Sequence, residues 1–356
     1  MNEIDDLVEM SKYAGERFDL VQAGGGNSSV KFEEGEMIIK ASGFLLSDLN
    51  ENNGYSRVFT KQIANIVKNE SIINEKEKRK RESLTSILVK DATIDTKNRP
   101  SIETLLHSFL YKYTLHTHPI VVNMITVQTN YKEILSNIFK ETKIACVPYR
   151  TPGIELALAL DAELITFEEI PNIIFLQNHG LIITSNDKKD IKKLTEFVIE
   201  RIEDYLHLDM VHYKLTNKIS YLLSSIEKNG TISYLSEDSY LTQQLKENNA
   251  LFGLTPFCPD SLVYCGICCC QINDLSDTKS LATYKEKYYE LPKVIIYQNN
   301  LFFIAPNIKK AKEMEDVFKF HIMVLQQTMK NNKNFLEQEE LAYLSNWEAE
   351  QFRQKL

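Results

Sequence analysis

The 356-residue sequence has no apolar run of the roughly 18 residues that a membrane span requires. Its first residues, MNEIDDLVEMSK, are acidic and lack the basic and apolar regions of a secretory signal peptide. Basic residues are not in excess, because 41 Lys and Arg stand against 49 Asp and Glu and give a net charge of −8. These absences predict a cytoplasmic location and argue against nucleic acid or an anionic membrane surface as a partner.

The sequence also lacks a disulfide framework. Five of its six cysteines crowd into one short stretch, at Cys258, Cys265, Cys268, Cys269 and Cys270. Cys265 and Cys268 form a lone CxxC pair with no second pair at zinc-ribbon spacing. Because free cysteine is a small apolar residue that favours protein cores, we expect buried reduced thiols, with metal or redox chemistry as the alternative.

No internal repeat or low-complexity segment is present, and the length predicts about two domains. We assign a catalytic domain to residues 1–225 and a C-terminal α/β extension to residues 226–356, with polar residues 214–250 as the linker region. The run EKEKRKRE at 75–82 predicts a solvated helix face or a mobile excursion, because acidic residues interleave with the basic ones.

Apolar periodicity and turn residues predict the secondary structure. We expect helices at 3–18, 102–111, 190–213 and 309–330. We expect strands at 29–32, 37–41, 113–122, 173–177, 181–184, 261–272, 294–297 and 301–305.

Three of the seven histidines have metal-ligand spacing. His116 and His118 lie two residues apart on a predicted strand, so both side chains face one side with Cα atoms roughly 7 Å apart. Two imidazoles at that distance can converge on one ion; the alternative is a pair of partly exposed strand histidines. His179, between Asn178 and Gly180 at a predicted turn, adds a third nitrogen. Three protein ligands and an open position are typical of catalytic zinc.

Glu103 lies in the first turn of the helix that precedes this strand. A carboxylate there is suited to act as general base or acid, or as a fourth ligand before substrate arrives. The alternative is a favourable charge at a helix N-terminus. His107, His207, His212 and His321 are interpreted as structural.

Small polar residues and glycines indicate an anion site. The GGGNSS run at 24–29 can form a nest of backbone N–H groups, to which Asn27 adds a donor. Ser42 and Gly43 follow a strand, and Ser101 caps the helix that carries Glu103. Each is also compatible with a plain turn or cap. Together with the three histidines, they favour a metal-chelating substrate with an anionic end.

Two lysines flank these segments. Lys31 and Lys40 either add positive charge to the anion site or face solvent, since strand residues alternate between faces.

At these residues the sequence resembles the class II aldolase/adducin family, over roughly residues 3–215. The matching motifs are GGGNSS at 24–29, ASG at 41–43, SIETLLH at 101–107, HTHP at 116–119, VPYRTPG at 147–153 and LQNHG at 176–180. The sequence is most similar to the aldolase half of bifunctional rhamnulose-1-phosphate aldolase/dehydrogenase proteins. The extra region that follows that half is matched by CPD at 258–260, LPK at 291–293 and NWEAE at 346–350.

The resemblance implies a three-layer α/β fold, with a central, mainly antiparallel sheet flanked by helices, plus a C-terminal α/β extension. It implies that His116, His118 and His179 bind Zn²⁺, or another divalent metal, and that Glu103 transfers a proton. It implies that the substrate phosphate is held by Asn27, Ser42, Gly43 and Ser101. Family members often have a second serine before the glutamate, where this chain has Ile102.

The implied function is that of a metal-dependent lyase. It would cleave or form a C–C bond in a small sugar or ketose phosphate through a zinc-stabilised enediolate. The chain ends before a dehydrogenase half, so the resemblance implies a stand-alone lyase without nicotinamide chemistry. It also implies a homo-oligomer, typically a tetramer. The alternatives are an epimerase, dehydratase or decarboxylase on a related substrate, and a non-catalytic adducin-like binding protein.

Overall fold

A computed structural model of the chain describes residues 2–95, 97–227, 230–327, 334–337, 339 and 341. The chain divides into two compact units between Val211 and His212. This division precedes residue 225, where the sequence placed it, because residues 211–226 form one helix. The buried apolar face of that helix packs among residues of the second unit.

The first unit is built on a seven-stranded sheet. Its strands are β1 Asn27–Lys31, β2 Glu36–Lys40, β3 Tyr55–Phe59, β4 Tyr113–Thr117, β5 Ile144–Val147, β6 Ile173–Leu176 and β7 Gly180–Ser185. Their order is β3-β2-β1-β4-β7-β6-β5. Every neighbouring pair is antiparallel except β5 and β6, which are parallel. The mainly antiparallel sheet expected from the resemblance is therefore confirmed.

Helices cover both faces of this sheet. They are α1 Glu3–Gly15, α2 Thr60–Asn65, α3 Glu70–Ile73, α4 Lys78–Asp91, α5 Thr104–Ser108, α6 Ile120–Thr126, α7 Tyr131–Ile138, α8 Ile154–Leu164 and α9 Lys188–Leu206, with 3₁₀ turns at Leu46–Asp48 and Ile66–Lys68. Successive strand residues face opposite sides. Phe175 thus joins a core with α1, α6 and α9, whereas Ile174 joins a second core with α2, α5 and α8. The three-layer fold is confirmed.

The second unit has a smaller mixed sheet. Its strands are β8 Ile232–Leu235, β9 Cys270–Gln271, β10 Val294–Tyr297 and β11 Asn300–Ala305, in the order β8-β11-β10-β9. Its helices are α10 Val211–Ile226, α11 Ser239–Glu247, α12 Pro259–Cys265, α13 Thr278–Tyr288 and α14 Ile308–Gln327, with a 3₁₀ turn at Asn249–Gly253. The C-terminal α/β extension is thus present.

Two sequence predictions for this unit are wrong. Residues 214–250 are not a linker, because α10, β8 and α11 occupy most of them. The strand predicted at 261–272 is instead α12, which starts with Pro259 in its first turn, followed by the short strand β9. Proline is favoured at that helix position because its missing N–H has no intrahelical partner there. Residues 328–330 of the last predicted helix, and the motif at 346–350, lie outside the described residues.

All six cysteines are free thiols, and Cys265 and Cys270 are buried. Burial raises the pKa of Cys270 to about 12. Among the described residues, no cysteine belongs to a group able to hold a metal ion. In the same part of the chain, no helix combines the length and hydrophobicity that crossing a membrane requires.

The charged run at 75–82 is not solvated throughout. It enters α4, where Arg81 Nη1 lies 2.5 Å from Glu155 Oε1 and both side chains are 17% exposed. The neighbouring Glu82 Oε2 accepts from the amide of Ile154 over 3.4 Å. The end of the run therefore docks on the start of α8.

Candidate metal centre

Four side chains of the first unit converge on one point. Glu103, His116, His118 and His179 each offer one ligand atom, and these atoms all lie within 4.8 Å of one another. His116 Nε2 is 3.1 Å from His118 Nε2 and 3.3 Å from His179 Nε2. The structure therefore brings together all four residues that the sequence nominated for metal and proton chemistry.

His116 is fully buried on β4, and a hydrogen bond with a backbone carbonyl orients its imidazole ring. Its Nδ1 lies 3.0 Å from the carbonyl oxygen of Leu181 on β7. A proton on Nδ1 would be donated to this carbonyl and would leave the lone pair of Nε2 directed at the other histidines. Carbonyl contacts of this kind set the tautomer of metal-binding histidines.

His118 is not on the strand, contrary to the prediction. β4 ends at Thr117, and α6 begins three residues later at Ile120. The amide of His118 donates instead to the carbonyl of Leu20 over 2.9 Å. The segment before the glycine loop, rather than strand alternation, therefore sets the position of this imidazole.

His179 lies in the turn between β6 and β7, the hairpin predicted from sequence. Asn178 takes a left-handed conformation with φ +54°, and a Cβ on Gly180 would come within 2.2 Å of the Thr117 carbonyl oxygen. Only glycine permits so close an approach. Asn123 on α6 donates to the His179 carbonyl over 3.2 Å, a contact that no sequence pattern indicated.

Glu103 precedes a helix shorter than expected. The predicted helix 102–111 is reduced to α5, so Glu103 lies in the turn before it rather than in its first turn. Its Oε1 is 3.3 Å from His116 Nε2 and 3.2 Å from His179 Nε2. Burial by itself would raise the pKa of Glu103, but the charges and hydrogen bonds of His116 and His179 hold it well below its usual range. The carboxylate is therefore ionised at neutral pH.

The donor set fits a divalent metal ion. Nitrogen ligands about 2.0–2.1 Å from a tetrahedral zinc ion are about 3.4 Å from one another. The contacts observed around His116 Nε2, at 3.1–3.3 Å, approach that spacing. When the imidazoles are neutral, their facing lone pairs cannot satisfy each other by hydrogen bonding, whereas a cation would satisfy all of them and would replace the imidazolium charge beside Glu103. These residues could therefore hold a metal.

His107 stands apart from this group, as the sequence interpretation expected. Its side chain is fully buried on α5, and its Nδ1 lies 2.8 Å from Ser29 Oγ. Burial, aided by the charge of His116, lowers the pKa of His107 to about 3. His107 is therefore a neutral core residue.

The glycine loop packs directly against the histidines. A Cβ on Gly25 would lie 2.7 Å from His118 Nδ1. Gly26 has φ +74°, and its Cβ would lie 2.9 Å from the His116 carbonyl oxygen. Asn27 is paired with His116 across β1 and β4. The sequence analysis interpreted this loop as an anion nest or a plain turn and missed its packing against the histidines. The absence of side chains at 24–26 is the signal for such a close approach.

The residues nominated for the substrate anion occupy three segments, and two of these adjoin, those of Ser42 and Ser101. Ala41 forms an antiparallel bridge with Pro100, and the amide of Ser42 donates to the Arg99 carbonyl over 2.9 Å. Ser42 and Gly43 are exposed, whereas Ser101 is 9% exposed.

Asn27 is fully buried, and its Nδ2 has no hydrogen-bond partner among the described residues. A buried amide donor without a partner is costly, so this group is suited to a ligand.

The two lysines have different environments. Lys40 is 4% exposed, and its Nζ lies 3.5 Å from the Gly24 carbonyl oxygen. Burial lowers the pKa of Lys40, and the Glu103 and Asp48 carboxylates oppose that shift. Lys31 instead donates to the Leu110 carbonyl. Lys40 is thus the lysine that adds positive charge near Glu103.

Comparison with known proteins yields a family match. The family model described as "Class II Aldolase and Adducin N-terminal domain" matches residues 5–206. The chain is 29% identical over 214 residues to the uncharacterized oxidoreductase YuxG of Bacillus subtilis, a match that covers 57% of this chain and 30% of that protein. It is 29% identical over 135 residues to methylthioribulose-1-phosphate dehydratase of Bacillus cytotoxicus. That match covers 34% of this chain and 60% of that protein. The chain spans less than two thirds of each relative.

Solved structures with a similar fold cover the same part of the chain. One is the N-terminal class II aldolase domain of a conserved protein from Thermoplasma acidophilum, with a TM-score of 0.49, 25% identity, and coverage of 58% of this chain and 94% of that one. Another is L-fuculose-1-phosphate aldolase from Thermus thermophilus, with a TM-score of 0.38, 14% identity, and coverage of 58% and 94%.

Proposed function

We propose that this chain, which belongs to the class II aldolase and adducin family, is a metal-dependent carbon–carbon lyase acting on a small sugar or ketose phosphate. The observation that carries the proposal is the convergence of three histidine nitrogens and the Glu103 carboxylate within 4.8 Å. A scaffold protein on this fold would need no such group, so the alternative of a non-catalytic adducin-like protein is disfavoured.

His116, His118 and His179 would hold the metal. Three nitrogen ligands with an open position favour zinc, and another divalent ion is the alternative. A bound divalent ion would polarise the substrate carbonyl as a Lewis acid. Two backbone carbonyls hold these ligands in place. That of Leu181 contacts Nδ1 of His116, and that of Leu20 accepts from the amide of His118.

Glu103 would move the proton. Its carboxylate is ionised, and its Oε1 lies beside His116 and His179, where the reacting carbon must approach. In condensation it would accept a proton from the carbon next to the carbonyl, and in cleavage it would return that proton. A base within hydrogen-bond reach contributes about 10²–10⁴-fold to the rate. Its short contacts also allow a role as fourth ligand before substrate binds.

The anionic end of the substrate would be held by Asn27, Ser42, Gly43 and Ser101, with Lys40 as a further source of positive charge. The unpartnered buried Nδ2 of Asn27 supports this assignment, because a bound oxygen would satisfy it. We also propose a homo-oligomer, by analogy with the family, which light scattering of the purified protein would test.

A second candidate function is a dehydratase. It is favoured by the match to methylthioribulose-1-phosphate dehydratase, at 29% identity over 135 residues. The same polarised carbonyl and the same base serve proton abstraction in that reaction, and in an epimerase or decarboxylase as well. The reactions differ in what leaves the substrate.

The decisive experiment is a screen of the metal-loaded protein against ketose 1-phosphates and related keto acids, with mass-spectrometric detection of products. A lyase releases a three-carbon fragment. Conversion that loses only water or carbon dioxide, or that inverts a stereocentre, would replace the lyase assignment with the corresponding alternative. Glu103→Gln should lower turnover by about 10²–10⁴-fold and retain the metal. The control Glu33→Gln changes an exposed turn residue and should turn over normally.

Metal content provides an independent test. The purified protein should hold about one zinc ion per chain, and His116→Ala or His179→Ala should lose both the metal and the activity. His207→Ala, which removes an exposed histidine at the end of α9, should change neither. Wild-type metal content in the first two variants would refute the ligand assignment.

A further inference from the structure

A cavity of about 510 Å³ opens in the first unit between α4 and residues 98–105. Its volume lies in the range of roughly 300–1,000 Å³ that small-molecule sites occupy in proteins. None of the four residues of the metal centre lines it. The lining shares Ser101 with the proposed substrate-anion site, but it contains none of the four residues at which the proposed chemistry takes place.

One wall of the cavity is a single face of α4. Ser83, Ser86, Ile87 and Lys90 line it, and their spacing of three, four and seven residues puts them on the same side of a helix. All four are exposed, and Ile87 is 54% exposed. No described residue covers this face of α4, although the helix contacts α8 through Arg81 and Glu82.

The segment at 98–105 contributes a second exposed apolar side chain to the lining. Ile102 lines the cavity and is also 54% exposed. The lining thus combines two half-exposed isoleucines, Ile87 and Ile102, with the exposed serines Ser83 and Ser86. Such a combination of apolar walls and a few polar groups is typical of sites for organic molecules.

Cationic residues outnumber acidic residues in the lining of the cavity. Lys90 and Arg99 line it, and within the described ranges neither side chain has an ion pair or a hydrogen bond. Glu82 also lines the cavity, and its carboxylate accepts from the amide of Ile154, so two cationic residues stand against one carboxylate. The cavity therefore favours an anionic group near Lys90 and Arg99.

The cavity wall and the metal centre share one turn. Ser101 and Ile102 line the cavity, and Glu103, the next residue, points its carboxylate at His116 and His179. The carbonyl of Arg99 accepts from the amide of Ser42 over 2.9 Å. A molecule bound in the cavity would therefore contact the segment that positions Glu103 without contacting the histidines.

We propose that this cavity binds a small organic anion with an apolar face. A phosphate or carboxylate lies against Lys90 and Arg99, the apolar face lies between Ile87 and Ile102, and the hydroxyls of Ser83 and Ser86 complete the polar contacts. An inorganic anion alone leaves the apolar walls uncovered. This site goes beyond the proposed function, because it needs neither the metal nor a particular reaction.

Phenyl phosphate is a probe that carries both required features, and titration calorimetry on the full, metal-free chain measures its binding. We expect saturable binding that is at least about tenfold tighter than for inorganic phosphate or for phenol, since each offers only one of the two contacts. Absence of binding at millimolar concentration, or equal affinity for phosphate and phenyl phosphate, would overturn the proposal.

Two double variants of α4 and its neighbourhood test where phenyl phosphate binds. Lys90→Ala with Arg99→Ala should weaken phenyl phosphate binding by about tenfold or more, because charge-assisted contacts are lost. The control Lys78→Ala with Arg79→Ala removes the same two charges from exposed positions of α4 that do not line the cavity, and should bind normally. Equal weakening by both pairs would mean nonspecific attraction and would reject the site.

Two further variants separate the cavity from the anion site of the metal centre. Ser86→Phe should block the cavity and abolish binding, whereas Asn27→Ala should leave it intact. The opposite result places the probe beside the histidines and overturns the proposal. Since these measurements use metal-free protein and no turnover, their outcome is independent of whether the lyase assignment holds.

Discussion

The backbone amide of His118 donates to the carbonyl of Leu20 over 2.9 Å. A parallel contact joins the amide of Ile120 to the carbonyl of Asp19 over 3.0 Å. Together they hold the segment after β4 against the segment that leads into the glycine loop. The position of the His118 imidazole thus depends on residues far away in sequence.

Gly25→Ala should weaken metal binding. The added Cβ would lie 2.7 Å from His118 Nδ1, so the ring must move away from its partners. Displacing a metal-binding histidine by changing its surroundings typically costs about 10–100-fold in affinity. Competition with a chromophoric chelator measures the change. Gly24→Ala is the matched control, because nothing lies within 4 Å of its Cβ, and equal affinities for the two variants would contradict the prediction.

Arg17→Met should destabilise the first unit. The Arg17 guanidinium is 1% exposed, lies 2.5 Å from Asp19 Oδ2 and also contacts Glu196, so the substitution leaves the buried Asp19 carboxylate and the partly exposed Glu196 without their cation. Breaking such a pair costs about 3–5 kcal/mol in the free energy of unfolding. Urea denaturation measures it.

The double variant Arg17→Met with Asp19→Leu is the control for this prediction. It removes both buried charges and should recover most of the lost free energy of unfolding. If the double variant is as unstable as the single one, the pair acts through something other than charge burial.

Asn27→Ala and Ser42→Ala should raise the KM for a phosphorylated substrate by about tenfold, since each removes a hydrogen bond to a charged group. Steady-state kinetics with a matched non-phosphorylated analogue provides the comparison. That analogue should be affected much less. Equal effects on both substrates would show that the two side chains shape the loops and do not bind the anion.

His107 should make the metal-free protein sensitive to acid. Burial holds its pKa at about 3 in the folded state, and an unfolded histidine titrates near about 6.5. Below that pH the unfolded chain binds the additional proton, so the free energy of unfolding falls as the pH drops from about 6.5 towards about 3. His107 lowers the free energy of unfolding by at most about 1.4 kcal/mol for each pH unit.

Denaturation of the wild type and of His107→Gln across this pH range isolates the contribution of His107. The variant has no imidazole to protonate at position 107, so its stability should decline less steeply. Parallel slopes would contradict the assignment of a neutral, buried His107. Both proteins are measured with chelator present, so that metal loss does not contribute.

Sequence motifs were sufficient to nominate the residues of the centre. His116, His118, His179 and Glu103 follow from residue type and order, because few side chains can bind a metal or move a proton. The resemblance supplied the mainly antiparallel sheet. The β6–β7 hairpin was also predictable, since two short apolar runs flank a turn containing Gly180.

Local patterns failed where tertiary contacts outweigh propensity. The strand predicted through residue 122 ends at Thr117, and the helix predicted from Ile102 begins at Thr104. A short apolar run does not distinguish a helix from a strand, which explains why residues 261–272 were assigned to a strand.

The sequence by itself therefore determined which atoms can do chemistry in this protein, because ligand and proton-transfer capacity belong to the side chains. Only the tertiary structure decided where those atoms meet. The contact of His118 with Leu20, the packing of Gly25 against His118 and the cavity beside Ile102 all join segments that are distant along the chain. Such contacts depend on how the whole sheet and its helices pack together. The glycines at 24–26 signal a close approach, but no local sequence pattern identifies the residue that approaches.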